Sequence, residues 1–214
     1  MALIVVKLGG SLHRDPLLPQ WLRLLWEMGR GKAVIVPGGG AFADLVREHQ
    51  VRWRFDDLSA HNMAVLAMMQ SALMMEGMTK GLVTGIGDRP AEGDDKAASK
   101  PMVLAATPAA IRRFLRDDRV VIWLPRNWLR RQPDAMTHWG ATSDSLAAAL
   151  AATLGADRLV LVKSCAIPHG LDLQAQAALG VVDAEFCRLT SNARHAIDLL
   201  GKTELSRLRQ LLQE

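Results

Sequence analysis

The sequence predicts an α/β fold with a mainly parallel sheet covered on both faces. Three observations carry this. Short apolar runs of strand length alternate with longer segments of helical periodicity. Glycine clusters follow two of these runs, Leu3-Lys7 and Ala33-Val36. No apolar run approaches the roughly 18 residues needed to cross a bilayer.

The elements follow in order. Leu3-Lys7 reads as a strand. Leu17-Met28 has apolar residues at helical spacing, stopped by Gly29 and Gly31. Ala33-Val36 is a short buried strand ended by Pro37-Gly38-Gly39-Gly40. Ala41-His49 reads as a helix, and Leu58-Met75 as a long, Met-rich, apolar one. Leu82-Thr84 and Met102-Ala105 have the look of short strands. Between them, residues 85–100 are rich in Gly, Asp and Ala and read as an exposed loop, a candidate lid. Pro108-Leu115 is a helix, Val120-Leu124 a strand, Thr142-Leu154 an Ala/Leu helix and Arg158-Val162 a strand. Ala184-Leu189 has helical character. Ala196-Leu200 reads as a strand, and Gly201 turns into a last helix over Thr203-Leu212.

The 214 residues suffice for one good-sized core, and a single domain over 1–214 is the expectation. The N-terminus carries no basic segment ahead of its apolar run, which argues against a signal peptide and for a cytoplasmic location. Cys165 and Cys187 have no metal-ligand spacing and read as reduced core thiols. Net charge is +4. The basic residues are dispersed and no aromatic stacking ladder interleaves them, so neither a nucleic-acid nor a membrane partner is expected. The apolar Met-rich helix suits self-association into a homo-oligomer.

Four segments carry chemistry. The first, Lys7-Leu8-Gly9-Gly10-Ser11, ends a buried strand in a lysine, two glycines and a hydroxyl. Glycines let backbone N–H groups approach phosphate oxygens, a following helix adds partial positive charge, and a lysine answers charge on a transferring phosphoryl. An ordinary strand-to-helix turn would carry the same letters. The second, Gly38-Gly39-Gly40 before Ala41-Phe42, repeats strand, glycines, helix. It reads as a second anion cradle facing the first, or as a flexible turn. The third is His138-Trp139-Gly140-Ala141-Thr142-Ser143-Asp144-Ser145. Thr142 or Ser143 caps the helix and Asp144 falls in its first turn. Asp144 either compensates the helix dipole or projects into the cleft to hold Lys7. The fourth, Leu159-Val160-Leu161-Val162-Lys163-Ser164, mirrors the first. Lys163 is either a solvated strand end or the second jaw of a clamp.

Together these segments resemble the amino acid kinase family, which includes the acetylglutamate, aspartate, carbamate, bacterial uridylate and isopentenyl phosphate kinases. Lys7-Leu8-Gly9-Gly10-Ser11 is similar to the family's opening K-x-G-G-S, and Pro37-Gly38-Gly39-Gly40 to its acceptor-side loop. Thr142-Ser143-Asp144-Ser145-Leu146-Ala147-Ala148 resembles T-T-D-S-A-A, with Gly155-Ala156-Asp157 and a strand beyond. The resemblance implies a three-layer α/β/α sandwich around an open sheet. It implies an ATP- and Mg²⁺-dependent phosphotransferase acting on a small acceptor. Lys7 would stabilise the transferring phosphoryl and Asp144 would orient the lysines. Gly9, Gly10 and Ser11 would contact nucleotide phosphates, and Gly38, Gly39 and Gly40 would hold the acceptor. Lys163 and Ser164 would border the nucleotide, Lys163 also serving catalysis. Residues up to about 130 would form the acceptor part and 131–214 the nucleotide part. Three departures stand out. The family's T-D or T-K pair is not found at Lys163-Ser164, its later lysine-bearing nucleotide loop is not found, and a helix replaces its terminal Gly-Thr hairpin.

His61-Asn62-Met63-Ala64-Val65-Leu66-Ala67-Met68 resembles the uridylate kinase acceptor helix D-x-M-G-M-L-A-T, with His61 in place of the sugar-binding aspartate. That argues against UMP. His61 is a cap-region residue or an acceptor contact. Asp44 follows the triple glycine where isopentenyl phosphate kinases carry a histidine nearby. It is a helix-dipole acid or a partner for a positive acceptor group. The chain's small size and altered acceptor positions resemble the kinases acting on aminomethylfuran methyl phosphate in methanofuran-type cofactor synthesis, which make a diphosphate from a phosphate. The alternatives are a kinase of isopentenyl phosphate, UMP or an acylamino acid, and a non-catalytic nucleotide-binding or anion-storage protein on the same fold.

Overall fold

A computed structural model describes residues 2–84, 100–168 and 170–214. Its strands are β1 (Ile4–Leu8), β2 (Ala33–Pro37), β3 (Val103–Ala105), β4 (Val121–Trp123), β5 (Arg158–Lys163) and β6 (Ala196–Gly201). Its helices are α1 (Leu18–Met28), α2 (Gly40–Trp53), α3 (Asp57–Thr84), α4 (Pro108–Arg116), α5 (Ser143–Leu154), α6 (Leu173–Ala178), α7 (Ala184–Thr190) and α8 (Leu205–Leu211). The six strands pair in the order β3-β4-β2-β1-β5-β6, every pairing parallel. This is the expected α/β class.

Strand alternation sorts the core into two layers. Ile4, Val6 and Leu8 of β1 join Ile35, Val160 and Val162 on one face, packed under Trp21, Leu25, Met75 and Leu208 of α1, α3 and α8. Val5 joins Val34, Val36, Leu159 and Leu161 on the other, under Ile111, Leu146, Leu150 and Phe186 of α4, α5 and α7. Successive strand side chains point to opposite faces. Lys7 therefore shares the Val5 face, and Lys163 the Leu161 face, so both lysines emerge beneath α5. β1 and β5 are hydrogen-bonded neighbours, with Lys7 beside Leu161.

Cys165 is exposed rather than a core thiol, and three further points differ from the sequence reading or add to it. Leu82–Thr84 is not a strand but the last turn of α3. A run of three apolar or β-branched residues has no period of its own, and here the preceding helix does not break. Gly77 and Gly81 ride inside it, with open space where a Cβ would stand. Second, the chain enters a 3-10 turn at Gly10–Arg14 after β1, and α1 begins only at Leu18. Third, α6 was not anticipated; Asp172 caps it by accepting from Ala175 N at 2.8 Å. The loop expected at 85–100 lies, except for its last residue, outside the described residues.

Candidate active site

Asp144 is the hub. Thr142 caps α5, its side chain accepting from Asp144 N, so Asp144 occupies the first turn. That turn lies over the carboxyl ends of β1 and β5. Lys7 Nζ stands 2.7 Å from Asp144 Oδ1, and Lys163 Nζ donates to Asp144 Oδ2 at 2.6 Å. One carboxylate thus bridges the two lysines. Its side chain is 3% exposed, those of Lys7 and Lys163 6% and 13%. Both contacts are at hydrogen-bond distance, so charge and hydrogen bonding hold the two ammonium groups together.

The electrostatics follow from burial. Burial works against the charge on Asp144, yet the ammonium groups of Lys7 and Lys163 outweigh it and hold the carboxyl below its usual pKa. Burial, reinforced by Lys7, pushes the pKa of Lys163 down, and Asp144 opposes it. Two cations share one anion in a largely water-excluded place. Buried charge is costly unless it is matched. The cluster is therefore left with one unmatched positive charge, a standing attraction for an anion.

The glycines surround this cluster. Gly9 N donates to Val162 O at 3.2 Å, tying the first glycine loop to β5. Ser11 Oγ donates to Ser164 Oγ at 2.7 Å, closing the same seam. The two glycine loops touch backbone to backbone. A Cβ on Gly10 would sit 2.1 Å from Gly40 N, and one on Gly38 would sit 2.3 Å from Gly10 N. No side chain fits at either position. Gly40 also has φ of 55°, a left-handed conformation that glycine adopts without strain. The expected facing cradles are thus in direct contact, with α2 starting at Gly40.

Beside them opens a cavity of about 270 Å³, between the glycine loops, α2, α3 and the 138–143 segment. Asp44 and His61 both line it. Asp44 lies on the second turn of α2, beyond the first turn where the helix dipole is felt. Dipole compensation therefore does not account for it. Its carboxylate meets Arg47 at 3.2 Å, and both side chains are largely exposed. His61 is buried and its Nε2–H donates to Trp128 O at 3.1 Å, which fixes the ring at the cavity wall. Asn62 next to it clamps Arg130 with two hydrogen bonds of 2.9 and 2.8 Å.

The sequence reasoning missed several cavity residues. Arg47 lies over the ring of Trp139 at 4.4 Å, and Trp139 Nε1 donates to Gln50 Oε1 at 2.5 Å. Gln50 in turn donates to Asp57, another wall residue, at 2.8 Å. Helical spacing from Asp44 to Arg47 was a usable signal. The reach of Trp139 across to α2 was not. His13 was also passed over. Its two ring nitrogens are buried without partners against Gly40 and Phe42, and burial lowers its pKa.

Residues 2–166 match the amino acid kinase family. This chain belongs to the amino acid kinase family. Among curated proteins it is similar to the 5-(aminomethyl)furan-3-ylmethyl phosphate kinase of Methanocaldococcus jannaschii, 31% identical over 145 residues. That match covers 66% of this chain and 56% of the relative's own length. In fold it is similar to uridylate kinase from Archaeoglobus fulgidus, at TM-score 0.65 and 14% identity, covering 100% of this chain and 96% of that one. UMP kinase from Bacillus anthracis gives TM-score 0.66 and 16% identity over 98% and 91% of the two chains. Isopentenyl phosphate kinase from T. acidophilum gives 0.60 and 11% over 98% and 95%. These relatives are small-molecule kinases. No helix among the described residues is long and apolar enough to cross a membrane.

Proposed function

We propose that the chain transfers the γ-phosphoryl group of ATP to a small acceptor that already carries a phosphate and also bears a positive group. An aminomethylfuran methyl phosphate is the leading candidate, its product the diphosphate. The observation that carries this reading is the buried Lys7–Asp144–Lys163 cluster with its surplus positive charge, set beside two touching glycine loops.

The roles follow from position. Lys7 and Lys163 offer ammonium charge to the phosphoryl in flight, and Asp144 keeps both aimed while leaving the sum positive. The backbone at Gly9, Gly10 and Ser11 faces the nucleotide's phosphates, with Lys163 and Ser164 along its border. Gly38, Gly39 and Gly40, at the start of α2, receive the acceptor's phosphate. Asp44 answers the acceptor's cation, and His61 packs against its body. Catalysis is by alignment and charge, with no covalent enzyme intermediate. The residues fit ATP, since a net-positive cluster beside two glycine loops suits polyphosphate. Among the described residues no group of three or more His, Cys, Asp or Glu could hold a metal. Mg²⁺, if bound with the nucleotide, would screen the charge of its phosphates.

The relative acting on the aminomethylfuran phosphate supports the acceptor class, and Asp44 in the cavity is consistent with it. The test is ADP release by the purified protein with ATP and Mg²⁺ across a panel of acceptors. Turnover with the aminomethylfuran phosphate is expected to exceed that with UMP, isopentenyl phosphate and N-acetylglutamate. Tight ATP binding without ADP release on any acceptor would overturn catalysis and favour a storage or regulatory protein.

A further inference from the structure

Asp183 lies about forty positions from Asp144 in the chain and belongs to none of the motifs above. It precedes α7 and caps it, accepting from Phe186 N at 2.8 Å. A cap would need no more than that. Asp183 does much more. Its Oδ2 also accepts from Thr142 N at 2.8 Å, from Thr142 Oγ1 at 2.7 Å and from Ser145 N at 3.1 Å. Its Oδ1 accepts from the buried hydroxyl of Ser145. One carboxylate thus grips the residues two before and one after Asp144. A second contact joins the same two segments, Glu185 N donating to Gly140 O at 3.3 Å.

The grip falls where a small rotation matters most. Asp144 must meet two lysines from different strands, at 2.7 and 2.6 Å, with one side chain. Rolling the first turn of α5 would lengthen one of these contacts. Thr142 alone caps α5 loosely, its bond from Asp144 N being 3.4 Å. Asp183 supplies the tighter hold.

We propose that Asp183 is a positioning residue for phosphoryl transfer, acting through the first turn of α5 to hold Asp144 between Lys7 and Lys163. The inference rests on the kinase reading. Its test separates the two roles of the carboxylate. Asp183→Ser keeps a good cap for α7 but is too short to reach α5; Asp183→Asn keeps the size but turns an N–H toward backbone N–H groups. Both are expected to lower kcat at least tenfold with KM for ATP and acceptor within twofold. Asp183→Ser is expected to keep most of the thermal stability. Asp183→Glu, which retains the carboxylate, is expected to recover part of the kcat.

A readout independent of turnover accompanies these. With ¹³C-labelled lysine ε-carbons, assigned through Lys7→Arg and Lys163→Arg, the two signals are expected to move in Asp183→Ser toward their positions in Asp144→Asn. Wild-type kcat in Asp183→Ser, or unmoved lysine signals, would overturn the proposal and leave Asp183 a cap of α7. Moved signals in a protein that releases no ADP would support the geometry while sinking the kinase reading instead.

Discussion

The two sides of the candidate site are built on opposite principles. On the lysine side, Lys7, Asp144 and Lys163 are nearly dry, with contacts of 2.6 and 2.7 Å and a fixed supporting framework. On the cavity side, Asp44 and Arg47 are largely exposed, and their contact is a long 3.2 Å. Charge in the first region is strong because water is excluded; charge in the second is screened. The difference teaches where the chain is committed and where it can change. In the proposed reaction the dry side would do one job on any phosphoryl group. On the proposed function, the wet side would select the partner weakly, through a few groups that substitution can exchange.

The sharpest way to break this contrast is Asp144→Asn. Removing one partner of a buried ion pair leaves like charges facing each other, a loss of about 3–5 kcal/mol at neutral pH by urea unfolding. The sign with pH is fixed. The Asp144 pKa is depressed in the fold, so its contribution is present above the usual value of 3.8 and lost as pH falls through the lower folded value. The stability gap between wild type and Asp144→Asn is therefore expected to close below about pH 4. The same variant should slow transfer more than it weakens ATP binding. A pure binding defect would contradict its role.

Next in size is Lys7→Ala, expected to lower kcat by about 10²–10³ while the circular dichroism spectrum is retained. Unchanged turnover would remove Lys7 from the chemistry. Gly10→Ala comes third. The new methyl would meet Gly40 N, backbone against backbone, and about 1–3 kcal/mol of stability should be lost. A smaller effect sharpens the wet side. Asp44→Asn should raise KM for an aminated acceptor by no more than about fivefold and leave a neutral acceptor unaffected. A loss as large as that from Lys7→Ala would mean that the cavity is as dry as the lysine cluster.

Much of the dry side was legible in the sequence. β5 is an apolar run ending in Lys163 and β1 carries Lys7 one residue before its end, and a buried parallel strand writes that pattern directly. Thr142 and Asp144 follow from helix capping. The all-parallel order follows from alternation of short strands and helices. What failed was whatever depends on distant partners. Leu82–Thr84 reads as a strand only when the helix before it is ignored. α6 is short and its capping signal is one aspartate. Asp183 is silent because its meaning lies in Thr142 and Ser145, and no local pattern announces a bond across such a distance. The wet side was legible only in part. Asp44 and His61 stand on helices whose faces could be guessed, whereas Trp139 comes from a segment without a period.

The contact of Gly10 with Gly40 has a consequence for how such a protein diverges. Backbone meets backbone at that joint, which sets a fixed spacing between the two glycine loops. No side chain can be added at Gly10 or Gly38, so this gauge stays constant. On the proposed function, a bulkier or differently charged acceptor would be accommodated at the far wall, along α3 and the Trp139 segment, and divergence in specificity should be sought there.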